Sequence, residues 1–214
     1  RITKEGIDWE KPEPHDPWAN IGYWGDHQII YLLKFLELSN DYHPGTLKNF
    51  LSADLFCYAN VPYRIKGYED LLKDPHNTID FDEELDALID QRVAAVGADG
   101  RLIWDKNDSV YNVNLTEKLL ATVLAKLSNF IPEAGIWMNT QRPEWNDANN
   151  ALVGYGVSMV TLYYTRRYQQ YLLDLFSEVE FDQVEISTEL VELLNSINST
   201  FVDNRHLLEG KISD

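Results

Sequence analysis

The sequence predicts an all-α fold in a single domain, residues 1–214. Apolar residues recur at intervals of three and four over most of the chain, which is the spacing of helices buried on one side. Strict alternation of apolar and polar residues between hairpin turns is not found. No linker rich in Gly and Ser divides the 214 residues, and this length is ample for one hydrophobic core.

The first three helices are predicted from their caps and apolar faces. Residues 26–39 are apolar around nearly the whole circumference, which predicts a central helix that the fold covers on both sides. Residues 46–58 carry one apolar stripe, with Thr46 as the cap. Residues 81–96 begin with acids and end before Gly97, which is the charge and glycine asymmetry of a capped helix.

Three further helices complete the pattern. Residues 116–130 carry a regular apolar stripe that a proline ends shortly afterwards. Residues 144–175 predict one kinked helix or two, because two glycines interrupt the stripe. The last helix covers residues 187–201. Between the helices, clusters of Gly, Asn and Asp predict long loops at residues 99–114 and 132–143.

Composition excludes several classes of protein. The 35 acidic residues outnumber the 18 Lys and Arg, and the resulting charge of −17 repels nucleic-acid phosphates and anionic lipids. The longest apolar stretch, residues 29–38, is far shorter than the ~20 residues of a membrane span. The single cysteine, Cys57, forms neither an internal disulfide nor a zinc site. We expect no nucleic acid, no membrane and no metal as partners.

Two segments of the chain combine aromatic, amide and acidic side chains. The first is Trp24-Gly25-Asp26-His27-Gln28, at the N-terminus of the first predicted helix. Asp26 alone is explained as a helix cap that accepts backbone N–H bonds. Because a cap leaves Trp24, His27 and Gln28 unexplained, the sequence predicts that the set binds a ligand.

The second segment, residues 137–150, is denser in such side chains. Pro143 suits the first position of a helix, which places Glu144 and Asp147 in the first turn. Acids there also complement the helix dipole, which lowers a carboxyl pKa and so opposes general-acid catalysis. The dipole does not account for the amides, since asparagine is a poor residue inside a helix. The candidate binding residues are Trp137, Asn139, Gln141, Arg142, Trp145, Asn146, Asn149 and Asn150.

This mixture of side chains fits a sugar. Sugar hydroxyls bind acidic, amide, imidazole and guanidinium groups, while the apolar C–H face of a pyranose lies against an aromatic ring. Cleavage of a glycosidic bond also needs a carboxylic acid that protonates the leaving oxygen. Asp147 and Glu144 are the candidate catalytic residues, and an oligosaccharide or disaccharide is the predicted partner.

Both segments resemble motifs of one enzyme class. Trp145-Asn146-Asp147, preceded by an acid, resembles the Asp-Trp-Asn-Asp segment of cellobiose-phosphorylase-type enzymes, which belong to the (α/α)6 six-hairpin glycosidases. Residues 23–28 are similar to the aromatic-Arg-Asp-x-x-Gln segment of the same enzymes. The resemblance implies that Asp147 is the general acid and that Asp26 binds sugar hydroxyls.

The resemblance also implies a fold and a reaction. The fold is an (α/α)6 toroid of helical hairpins, and six to eight helices make up only part of it, so further sequence or another chain would supply the rest. A chain that begins at Arg1 without an initiator Met also fits a fragment of a larger catalytic domain. The reaction is inverting hydrolysis or phosphorolysis, with inorganic phosphate as the only co-substrate and no cofactor. Gly25 stands where the family has Arg, which weakens the argument for phosphate.

Two other functions fit the same residues. A sugar-binding or assembly protein would keep the pocket without the chemistry. A sugar epimerase on a similar helical barrel would need a pair of histidines in the pocket, and only His27 is placed to serve. All three interpretations require the two segments to meet at one cavity.

Overall fold

The structure is a computed structural model, which describes residues 2–3, 6–7, 25–74, 77–139, 154–179 and 183–209, with the backbone alone for residues 2–3, 6–7 and 25–27. Helices predominate in the described residues, together with four small antiparallel sheets. The prediction of a mostly helical chain is confirmed. The all-α class is wrong in one respect, because short strands are present.

Seven α-helices lie within the described residues. They are α1 (Gly25–Tyr42), α2 (Thr46–Phe50), α3 (Tyr68–Lys73), α4 (Glu83–Val96), α5 (Leu115–Leu127), α6 (Met159–Ser177) and α7 (Thr188–Asp203). Short 3-10 helices, Gly97–Arg101 and Arg205–Leu208, follow α4 and α7. Among the described helices, none has the length and apolar character that a membrane span requires.

The strands are two or three residues long. They are β1 (Ile2–Thr3), β2 (Gly6–Ile7), β3 (Phe56–Cys57), β4 (Tyr63–Ile65), β5 (Ile79–Phe81), β6 (Asn112–Val113), β7 (Phe130–Ile131), β8 (Gly135–Trp137) and β9 (Val157–Ser158). They pair as β1–β2, β3–β6, β4–β5 and β7–β8–β9, and every pairing is antiparallel.

The longer helices begin and end where the sequence carries capping residues. Asp82, Asn114 and Ser158 each accept a hydrogen bond from the backbone N–H three residues later, at the starts of α4, α5 and α6. Gly97 ends α4 with a φ of 78°, a conformation that glycine adopts without a steric penalty. The caps Asp82 and Gly97 explain why the helix predicted over residues 81–96 agrees with α4 to within two residues.

One hydrophobic core is shared by α1, α2, α5, α6 and α7. Its centre consists of Ile29 and Leu33 of α1, Leu51 after α2, Leu119 of α5 and Tyr168 of α6, all fully buried. The Tyr168 hydroxyl donates to the carbonyl oxygen of Leu119 at 3.1 Å. The largest fully buried side chain therefore also has its polar group satisfied.

Helix α1 is buried on one side only. Tyr31, Phe35, Leu38 and Tyr42 lie on the side opposite the core, and each is at least half exposed. The prediction that the fold covers this helix on both sides is wrong for the described structure, because α2, α5 and α6 contact only its core-facing side.

Two helices of the structure have other bounds than the apolar pattern predicts. The helix predicted over residues 46–58 ends at Phe50, because Phe56 and Cys57 pair with β6 instead. The prediction over residues 144–175 left one kinked helix or two open, and its residues 144–153 lie outside the described residues. Within the described part, a turn at Gly154 and the strand β9 precede α6, which begins at Met159. Helical spacing within such short apolar runs does not distinguish a helix from a paired strand.

Thr165 of α6 is a buried residue with an unused hydroxyl. It is 1% exposed, and its Oγ1 has no hydrogen-bond partner among the described residues. An unsatisfied buried hydroxyl costs about 1–3 kcal/mol. Thr165→Val, which keeps the shape of the side chain, should therefore raise the free energy of unfolding by about 1 kcal/mol in urea titrations.

The control for this prediction is the same substitution one helical turn earlier. Thr161 is also fully buried, but its Oγ1 donates to Ser158 Oγ at 2.8 Å. Thr161→Val should lower the free energy of unfolding, because it removes that bond. Equal effects at both positions would contradict the assignment of an unsatisfied hydroxyl to Thr165.

Candidate functional site

One groove contains two of the candidate binding residues, Trp137 and Asn139. It has a volume of about 550 Å³. Three parts of the chain bound it: residues 65–72 around α3, residues 128–131 from the end of α5 to β7, and the adjoining parts of β8 and β9. We call it the Trp137 groove.

A tight turn brings β7 and β8 to this groove. Pro132 and Glu133 occupy its centre, Glu133 has a φ of 58°, and the Ala134 N–H donates to the Ile131 carbonyl at 3.1 Å. Proline followed by a residue with positive φ is typical of a type II turn. Pro132, which the sequence predicts to end a helix, therefore lies in the turn of a β-hairpin. The strand β8 lies within residues 132–143, which the sequence predicts to be a loop.

The sheet fixes both ends of the second candidate segment. The Trp137 N–H donates to the Asn129 carbonyl at 2.7 Å, and the Met138 N–H donates to the Gly156 carbonyl at 3.0 Å. The Gly154 N–H donates to the Met138 carbonyl at 2.7 Å. Asn139 and Gly154, which flank residues 140–153 in the sequence, consequently both lie on the groove wall.

Trp137, Tyr68 and Tyr155 are three of the four aromatic residues among the described residues that line the groove. Trp137 is half-buried, and its Nε1 donates to the Gly154 carbonyl at 3.1 Å. The Tyr68 ring meets it edge to face, with ring centroids 5.8 Å apart. Tyr68 is 61% exposed, and Tyr155, which also lines the groove, is 76% exposed. Rings of this kind offer faces to an apolar ligand surface.

An amide pair gives the groove its polar surface. Asn139 Nδ2 donates to Asn129 Oδ1 at 2.9 Å, and Asn129 in turn donates to the Ala125 carbonyl at 3.0 Å. The bond orients both amides. Asn129 Nδ2 also donates to Ser128 Oγ at 3.3 Å, so both N–H groups of Asn129 are used and its Oδ1 retains one lone pair. Asn139 retains one N–H and its carbonyl oxygen beyond this pair.

The first candidate segment contributes little to the described groove. Gln28 is exposed in the first turn of α1 and is not part of the groove wall. Trp24 lies outside the described residues, as do the side chains of Asp26 and His27. The meeting of the two segments at one cavity therefore stays a prediction.

Most of the second segment also lies outside the described residues. Trp137 and Asn139 are the members that the structure describes, and it brings both to the groove. The members outside it are Gln141, Arg142, Glu144, Trp145, Asn146, Asp147, Asn149 and Asn150. Their assignment as catalytic or binding residues stays a prediction.

Sequence reasoning identified only Trp137 and Asn139 among the described lining residues, and it missed Lys66, Tyr68, Asn129 and Tyr155 among others. Tyr68 is distant from the second segment in sequence and reaches it only through tertiary structure, whereas Asn129 is close in sequence and reaches it through the β7–β8 hairpin. Tyr155 falls in a stretch whose helical spacing predicts core packing, yet it is largely exposed. The glycines on both sides of Tyr155 interrupt the helical spacing, and they are the sequence signal that could have identified it as exposed.

A second group of ionisable side chains lies at the start of α5. Buried Glu117 accepts hydrogen bonds from the Ser187 N–H at 2.8 Å and from Ser187 Oγ at 2.9 Å. Lys118 Nζ donates to the Cys57 carbonyl at 2.9 Å and lies 3.8 Å from the centre of the Tyr58 ring. Burial lowers the pKa of Lys118, while burial and the Glu117 carboxylate raise the pKa of Tyr58. These bonds hold α7 and β3 to α5, which is a structural role.

The described residues contain no group of three or more His, Cys, Asp or Glu side chains that could hold a metal ion. A scan of the sequence against protein-family models finds no match, and neither does a search of curated proteins. The function is therefore argued from the groove and from the two sequence segments, because a helical fold alone hosts many functions.

Proposed function

We propose that this chain is a carbohydrate-active protein that binds a saccharide in the Trp137 groove. The observation that carries the proposal is the combination, on one groove wall, of exposed aromatic rings with a mutually oriented amide pair. Sugars need both kinds of surface at once, because each pyranose has apolar C–H faces and a rim of hydroxyls.

The size of the groove supports the same ligand class. Its volume of about 550 Å³ lies within the range of ~300–1,000 Å³ that is usual for small-molecule sites. The wall of aliphatic side chains, such as Leu71 and Leu72 of α3, would exclude water from one side of a bound sugar. The amide pair would orient the hydroxyls on the other side.

Glycosidic bond cleavage is the second part of the proposal. Asp147 would act as the general acid, with Glu144 as the alternative acid, and water or inorganic phosphate would be the nucleophile in an inverting reaction. What supports it is that Asn139 and Gly154, which flank the segment containing Asp147, both line the groove. A sugar-binding protein without catalysis is the alternative.

The scaffold proposed for this activity is an (α/α)6 toroid, of which the described helices would be a part. Helices in such a toroid are covered on both sides, and α1 carries apolar side chains on both its core side and its exposed side. The side of α1 that bears Tyr31 and Phe35 is where neighbouring helices of the toroid would pack.

Replacing Trp137 with alanine tests the proposed site. We expect the dissociation constant for a disaccharide to rise about 10- to 100-fold, because loss of an aromatic ring against the sugar removes roughly 1.5–3 kcal/mol. The measurement is isothermal titration calorimetry with cellobiose, maltose, lactose and xylobiose, followed by the variant with whichever sugar the unmodified protein binds. Circular dichroism checks that the variant is folded.

The matched control for Trp137→Ala is Trp104→Ala. Trp104 also donates its Nε1 to a carbonyl, that of Asp99 at 2.9 Å, and it lies outside the groove wall. Sugar binding should be unchanged in this control. Equal weakening in both variants, or a folded protein that binds none of the sugars, would contradict the proposed site.

A further inference from the structure

Lys66 is the only charged residue among the described residues that line the Trp137 groove. In a chain with 35 acidic residues and 18 Lys and Arg, a described wall that includes no carboxylate departs from the average surface. An uncharged sugar would need neither a lysine nor the exclusion of acids. The charge pattern of the groove therefore carries information about the ligand.

The backbone holds Lys66 in place. It follows β4, and its N–H donates to the carbonyl of Thr78 at 2.9 Å, which extends the pairing with β5 by one residue. The Lys66 side chain is only 19% exposed. A long side chain that is mostly covered is pre-positioned relative to a freely moving surface lysine, so less conformational entropy is lost when it binds a ligand.

The ion pair that Lys66 forms with Asp80 leaves N–H donors of the lysine available for a ligand. Lys66 Nζ lies 3.6 Å from Asp80 Oδ1, which is longer than the ~2.7–2.9 Å of a charge-assisted hydrogen bond. Asp80 is itself 74% exposed in its side chain and is not part of the groove wall. An ammonium group has three N–H donors, so Lys66 can bind an oxyanion in the groove while it stays near Asp80.

From this charge pattern we infer that the Trp137 groove takes an acidic saccharide, a sugar whose carboxylate is bound by Lys66. This inference rests on the proposed function, because the aromatic rings and the amide pair bind the sugar ring itself. An oxyanion could come from a uronic acid or from free phosphate. The uronate is the better fit, because it carries one charge on a body that fills an aromatic-lined groove, whereas phosphate is smaller and more strongly charged and would meet a single lysine in a protein of charge −17.

Matched sugar pairs test this inference. Calorimetric titrations compare cellobiouronic acid with cellobiose, and digalacturonic acid with its carboxyl-reduced form, so that only a carboxylate differs within each pair. We expect the acidic member of at least one pair to bind about tenfold more tightly, and the preference to shrink at high salt as charges are screened. Lys66→Gln should abolish the preference, so that the acidic and the neutral member of each pair bind with the same dissociation constant.

Two further variants distinguish a direct effect of Lys66 on the ligand from a general effect of substitution on folding. Asp80→Asn removes the competing carboxylate from an exposed position, so it should increase the preference for the acidic sugar. Lys48→Gln removes a lysine that pairs with Glu178 outside the groove and should leave the preference unchanged.

Each contrary outcome has a distinct meaning. Equal binding of the acidic and neutral sugars overturns this inference and leaves the proposed function intact. Absence of binding by every sugar overturns both. Inorganic phosphate alone is the last arm: if it binds in a Lys66-dependent way and the acidic sugars have no advantage, the lysine belongs to a phosphate site and the inference is wrong.

Discussion

Replacing Asp147 with asparagine is expected to lower the rate of glycosidic bond cleavage by about 10²–10⁴-fold, which is the usual contribution of a general acid. Asparagine keeps the size and most hydrogen-bonding groups of the side chain but cannot donate a proton to the leaving oxygen. The dissociation constant of the sugar should therefore change little. The measurement is product release from a bound disaccharide, with and without inorganic phosphate, in parallel with calorimetric binding.

Product identity and a second acid complete this experiment. A sugar phosphate as product indicates phosphorolysis, and free sugar alone indicates hydrolysis. Glu133→Gln is the matched control, because Glu133 is an exposed acid at the turn of the β7–β8 hairpin and has no proposed role in the chemistry. Unchanged turnover in Asp147→Asn would refute its role as the acid. Binding without turnover in the unmodified protein would support the non-catalytic alternative.

Tyr168→Ala is expected to produce the largest loss of stability, a fall of about 3–5 kcal/mol in the free energy of unfolding. Tyr168 of α6 is fully buried at the centre of the core that α6 shares with α1 and α5, so alanine would leave a cavity as well as remove apolar contacts. Tyr168→Phe removes only the bond to the Leu119 carbonyl and should cost about 1 kcal/mol. Urea unfolding monitored by circular dichroism measures both values.

Tyr163 provides the control on the same helix. It is 60% exposed, so Tyr163→Ala should change the free energy of unfolding by less than about 0.5 kcal/mol. Similar losses from Tyr168→Ala and Tyr163→Ala would contradict the core assignment.

The longer helices could be predicted from the sequence, whereas the sheets could not. Helix α4 has its cap, its acids and its terminal glycine within one continuous stretch, so local reasoning was sufficient. Strands β3 and β6 are two residues each, too short to show alternation, and Phe56 pairs with Val113 far away in the chain. Such a pairing depends on tertiary structure and cannot be predicted from the local sequence pattern.

The candidate site was predictable to the extent that its residues share one segment. The density of aromatic and amide side chains identified Trp137 and Asn139, and the structure brings both to the groove. Lys66 and Tyr68 come from the stretch after β4, where neither stands out from its neighbours in the sequence. Only the tertiary structure, which packs the Tyr68 ring against Trp137, shows that both residues line the groove.

The backbone bonds that join Met138 to Gly154 and Gly156 allow ligand binding to change without a change in the stability of the core. Because the sheet already holds Met138 and Gly154 together, the two ends of the intervening segment are fixed by backbone bonds and do not depend on the side chains of that segment. New ligand preferences could thus be grafted between these two anchor points, in the laboratory or during evolution, while the helical core keeps its packing.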